Sequence, residues 1–118
     1  MSLESDIFDA LKGLVSNRVF PDVAVFGTAT PYITYQQVGG SAENFLESVF
    51  VGKRNARMQI NCWATTRAAA NALARSVETT LITSTALRAY VLGAFVSTHE
   101  DELVPPLFGT YQDFSIWS

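Results

Sequence analysis

Reactive side chains are scarce in this sequence of 118 residues. It has one cysteine, Cys62, and one histidine, His99. A single cysteine excludes an internal disulfide and fits a reducing compartment. A cysteine nucleophile needs a base, usually histidine, and some exposure. Cys62 falls on the apolar phase of its segment and His99 in an acidic stretch far along the chain, so the residues predict a buried thiol. One His, one Cys and the run Glu100-Asp101-Glu102 provide no zinc-ligand spacing, and the run is read as a solvated loop rather than a calcium site. Neither GxGxxG nor GxxxxGK[ST] occurs among the glycines, which removes the phosphate-cradling motifs. Asp113 has no identifiable catalytic partner. No constellation for catalysis, a cofactor or a metal emerges, and a non-enzymatic protein is expected.

Charge is scarce too. Charged residues make up 16% of the chain and hydrophobic residues 48%, with a net charge of −3. Soluble domains usually carry about a quarter charged residues. An apolar small domain this poor in charge is expected to cover part of its surface with other subunits. There is no basic tract, which argues against a phosphate-tracking nucleic-acid site. No apolar run reaches the roughly 20 residues needed to span a bilayer. The start, "MSLESDIFDALKGL", lacks the basic and continuous apolar regions of a signal peptide, so a soluble protein made in a cytoplasm is expected.

The length suits a single domain, 1–118. Leu3, Ile7, Leu11 and Leu14 recur at helical spacing, with Glu4, Asp6, Asp9 and Lys12 opposite. This predicts a helix from about Leu3 to Val15 with Ser2 as N-cap. "VFPDVAVFGTATP" reads as an extended piece with a turn at Gly27, and "YITYQQV" as a strand with Ile33 and Tyr35 on one side. Ser41 to Asn55 follows neither period and is read as a long hairpin arm or a mobile loop. In "RMQINCWA", Met58, Ile60, Cys62 and Ala64 alternate with Arg57, Gln59, Asn61 and Trp63, marking a half-buried strand.

Thr65 or Thr66 caps the next helix, whose buried stripe is Ala70, Leu73, Ala74, Val77 and Leu81. Ala86 to Thr98 is read as one strand, "HEDELVPPLFG" as a loop and "TYQDFSIWS" as the last strand, with Tyr111, Asp113 and Trp117 facing away from Phe114 and Ile116. The order α-β-β-α-β-β predicts an α+β domain, a mostly antiparallel sheet of about four to five strands with two helices packed on it. Arg57, Asn61, Trp63, Tyr111 and Trp117, with Phe45 and Phe50 of the unassigned segment, form the candidate subunit or partner interface. Trp and Arg are the residue types most enriched in interface hot spots. Whether the Trp63 face meets the domain's own helix or another subunit is left open by the alternation.

Three blocks carry a resemblance: "RVFPDVAVFGTATPYITYQQVGG", "RNARMQINCWATTRAAANALARSVETTL" and the closing "YQDFSIW". In this order, from Arg18 to Trp117, the chain resembles the tail terminators, the small tail-completion proteins of long-tailed bacteriophages. The resemblance implies an α+β sandwich without catalysis or cofactor. It also implies a ring, typically a hexamer, at the head-proximal end of the tail. There the ring stops tail-tube growth, presents the docking surface for the head connector, and passes DNA through its lumen without specific binding. It implies a virion protein assembled in the host cytoplasm. Glu100, Asp101 and Glu102 are then candidates for an acidic lumen or rim loop. Two alternatives remain: a head-side connector or adaptor ring, and a cytoplasmic small-molecule-binding regulatory module.

Overall fold

A computed structural model describes residues 3–24, 27–39, 55–84, 87, 89–100 and 107–117. The chain begins with α1 (Leu3–Leu11), which tightens into a 3-10 turn at Lys12–Leu14. Ser16 and Asn17 then take positive φ, and the Asn17 amide donates back to the Lys12 carbonyl at 2.8 Å, closing the helix end. The strands are β1 (Val19–Pro21), β2 (Tyr32–Gly39), β3 (Asn55–Ala64), β4 (Tyr90–Val91), β5 (Val96–Glu100) and β6 (Leu107–Trp117). Between β3 and β4 lies α2 (Arg67–Thr83), capped by Thr66, whose hydroxyl oxygen accepts from the Ala69 amide at 3.1 Å.

Among the described residues the strands form one six-stranded sheet in the order β1-β2-β3-β6, with β4 and β5 both on the far side of β6. β1 runs parallel to β2, and every other pairing is antiparallel. β3 pairs with β6 along its whole length, from Asn55 opposite Trp117 to Ala64 opposite Phe108. β1 is three residues long and ends at Pro21, which has no amide to continue a ladder. The α+β expectation holds, with one more strand than the upper count.

The extra strand comes from the segment read as one strand, Ala86 to Thr98. It is two short strands separated by Leu92–Phe95, and the second continues through His99 and Glu100, which were read as loop. The break is held by side-chain chemistry. Gln112 Nε2 donates to the Gly93 carbonyl at 2.7 Å and to Glu78 Oε1 of α2 at 2.9 Å, and the Leu92 amide donates to the Asp113 carbonyl. The Gly93 carbonyl is thus satisfied by a side chain rather than a strand partner.

Both helices lie on one face of the sheet. Ile7 and Leu11 of α1 and Leu73, Ala74, Val77 and Leu81 of α2 join Ile33, Tyr35, Met58, Ile60, Cys62, Phe114 and Ile116 in a single core. Every residue of the expected α2 stripe is buried, Ala70 included. Burial of each large aliphatic or aromatic side chain contributes about 1.5–3 kcal/mol, so this layer anchors the sheet to the helices. Among the described residues neither helix packs on the opposite face. That settles where the Trp63 face stands within the domain: it turns away from the helices.

Candidate functional site

The outer face is built by the pleat of β2, β3 and β6. Register places Tyr32 opposite Trp63, Thr34 opposite Asn61, Asn61 opposite Tyr111, Gln59 opposite Asp113, and Asn55 opposite Trp117. Alternation sends the side chains of Tyr32, Thr34, Gln59, Asn61, Trp63, Tyr111, Asp113 and Trp117 to the side away from the core. Arg57, Asn61, Trp63, Tyr111 and Trp117 therefore share one surface. Phe45, Phe50, Asp101 and Glu102 lie outside the described residues, and Glu100 ends β5.

Trp63 is only half-buried, and its own sheet explains the covered half. Its register partner on β6 is Gly109. A Cβ placed on Gly109 would meet Trp63 Cε3 at 2.7 Å and Cζ3 at 2.8 Å, so the indole lies flat across the backbone of β6. Its other neighbour is Tyr32, with ring centroids 6.5 Å apart and planes 27° from parallel. Such a stack contributes about 0.5–1.5 kcal/mol beyond area burial. Partial burial raises the Tyr32 phenol above its ordinary value, so it stays protonated and uncharged at neutral pH. A glycine covered by a cross-strand aromatic is a recognised way to repair the gap that glycine leaves in a sheet.

Arg57 reaches diagonally across to Asp113, with Nη2 at 2.7 Å and Nε at 2.9 Å from Oδ2. The Arg57 side chain is 53% exposed. Solvent screening limits such a pair to about 0–1 kcal/mol, and its main effect is to cancel two charges on this face. Toward the β4–β5 side the surface becomes apolar. Tyr111 and its register partner Val96 are 38% and 47% exposed, and Tyr90 is 65% exposed. Exposed aromatic and aliphatic groups beside a neutralised ion pair suit contact with another protein surface.

Cys62 belongs to the inner face and is not part of this surface. Burial pushes its thiol up to about 12, against a partial lowering by the Thr110 hydroxyl. A thiol held that far up carries negligible thiolate at neutral pH. Among the described residues no group of three or more His, Cys, Asp or Glu side chains is placed to hold a metal ion. No helix among them is long and apolar enough to cross a membrane.

Gln112 was missed by the sequence reading. It is 4% exposed and links β6, α2 and the break between β4 and β5. The signal available was a polar residue on the same phase as Phe114 and Ile116, which only a tertiary partner can justify.

The family model described as tail completion protein gp17 matches residues 7–111. No curated protein matches the chain.

Proposed function

The chain belongs to the tail completion protein gp17 family of bacteriophages, and on that premise we propose that it is a tail terminator. As a phage tail component it is a virion protein that meets other tail proteins. In the proposed role, copies of the chain close into a ring, a hexamer, at the head-proximal end of the tail. The ring ends tube polymerisation and offers its far side to the head connector. The role is structural and non-catalytic, with no cofactor.

The observation that carries this reading is the family match across residues 7–111, and the outer face is compatible with it. A closing ring needs each subunit to present two different surfaces that fit each other. Sparse charge and a half-exposed aromatic face supply contact area with little desolvation cost. A subunit of net charge −3, repeated around a lumen, repels the DNA backbone, so genome passage proceeds without adhesion.

The test adds purified chain to polymerising tail tubes, with electron microscopy as the readout. Capped tubes of arrested length, decorated at one end, are expected. Tubes that grow unaltered while the chain binds only DNA-filled heads would overturn the terminator role in favour of a head-side adaptor.

A further inference from the structure

The neighbours of β6 are unequal. On one side β3 supplies Ala56, Met58, Ile60, Cys62 and Ala64 to the buried layer. On the other side β5 supplies little: Val96, Ser97 and His99 are exposed and Thr98 is half-buried. None of these β5 side chains belongs to the core.

The chain that leads into β5 is fastened instead. Leu87 and Ala89 are buried, and the Trp117 amide donates to the Leu87 carbonyl at 3.1 Å. The Leu92 amide donates to the Asp113 carbonyl, and the Gly93 carbonyl accepts from Gln112. Phe95 packs against the core, with the Arg75 guanidinium over its ring at 6.0 Å. Past Phe95 the attachments include the ladder to β6 and the His99 ring, 6.5 Å from Phe108.

The helix above this flank carries an unmet polar group. Arg67 of α2 lies over the Phe108 ring at 5.9 Å. Asn71 stands one turn from Arg67 and one turn from Arg75, on the same side of the helix. Its Oδ1 is buried and accepts no hydrogen bond among the described residues. A buried acceptor left unpaired opposes the closed arrangement and regains its hydration when the cover lifts.

We propose that β5 is a hinged strap. It lifts from β6 as a unit, turning at residues 93–95, while the other strands and both helices stay folded. Such openings involve elements with few buried apolar contacts and exposed backbone hydrogen bonds. Closed, β5 covers residues 107–111 of β6. β6 is an eleven-residue strand, and its uncovered edge offers a long row of backbone donors and acceptors. β5 is five residues long and ends on Glu100, and both features blunt an edge. The closed strap thus replaces a strong pairing edge with a weak one, and opening reverses this. The device operates within a single copy and is independent of the terminator role.

Native-state hydrogen exchange on the full-length protein tests the strap. In an antiparallel ladder, alternate amides of residues 107–111 bond to β5 and to β3. The β5-bonded set should exchange at least about 100-fold faster than the β3-bonded set, with little dependence on low urea. The β3-bonded set should accelerate with urea as global unfolding takes over. Phe95→Ala loosens the attachment at the hinge and should speed the β5-bonded set by about tenfold relative to the β3-bonded set. Asn71→Leu removes the unpaired acceptor and should slow the β5-bonded set by about tenfold. Equal rates for the two sets in the parent protein, or the same steep urea dependence in both, would overturn the strap. A shift of both sets by one common factor in either variant reports global stability alone and would overturn it as well.

Discussion

Replacing Gly109 by alanine tests the seating of Trp63. Gly109 has no positive φ, so its backbone accepts alanine and the whole penalty is steric. The new Cβ would stand 2.7 Å from Trp63 Cε3, 2.8 Å from Cζ3 and 3.1 Å from the Cys62 carbonyl oxygen. The indole must tilt off β6 and loosen its stack on Tyr32. Overfilling a packed site costs about 1–3 kcal/mol. At a urea slope of roughly 1–3 kcal/mol per molar, a loss of about 2 kcal/mol lowers the unfolding midpoint by about 1 M. In a Trp63→Ala background the ring is gone and only the 3.1 Å approach to the Cys62 carbonyl oxygen remains. Gly109→Ala should therefore cost less in Trp63→Ala than in the parent, by about 1 kcal/mol or more. Urea unfolding of the four proteins, followed by circular dichroism, gives the coupling directly. An equal cost in both backgrounds, or a cost below about 0.5 kcal/mol in the parent, would refute the flat seating of the indole.

Other expectations follow from the same geometry. Gln112→Leu strips partners from Glu78 and the Gly93 carbonyl; it should cost about 1–3 kcal/mol and speed amide exchange at Leu92–Phe95, read by hydrogen exchange. Thr66→Ala removes the cap of α2 and should cost about 1 kcal/mol in thermal or urea unfolding. The Cys62 thiol titrates at about 12 in the fold against an ordinary 9.0, so the unfolded chain loses its proton first. Stability from this group is complete below pH 9 and falls as pH rises toward 12, by at most about 1.4 kcal/mol per pH unit; Cys62→Ala should flatten that alkaline slope in urea melts.

Periodicity carried most of the fold. The α2 stripe and the alternation of β3 need only local spacing, and each of their expected buried residues is buried. The helix expected from Leu3 to Val15 is α-helical only to Leu11 and finishes as a 3-10 turn at Lys12–Leu14, because spacing shows which residues share a face and not how the last turn tightens. What failed was the segment from Ala86 to Thr98, dense in β-formers throughout. Propensity could not show that β6 supports it in two places, nor that Gln112 would claim the Gly93 carbonyl between them. A break imposed by a side chain 19 residues away has no local signature.

The candidate surface divides in the same way. Alternation sorted Arg57, Asn61, Trp63, Tyr111 and Trp117 to one face, but lateral neighbours depend on register, which alternation leaves open. Only the pairing of β3 with β6 reveals that the group beneath Trp63 is the bare backbone of Gly109. That changes what the tryptophan can contribute. One side of the indole is already committed to its own sheet and one edge to Tyr32, so only the remaining surface is available to a partner. The commitment also fixes the ring before any contact forms. A side chain held by its neighbours loses little rotamer freedom on association, a saving of about 0.5–1.5 kcal/mol for each group so fixed. Loosening Trp63 would therefore weaken a contact on this face even where no atom of that contact is removed.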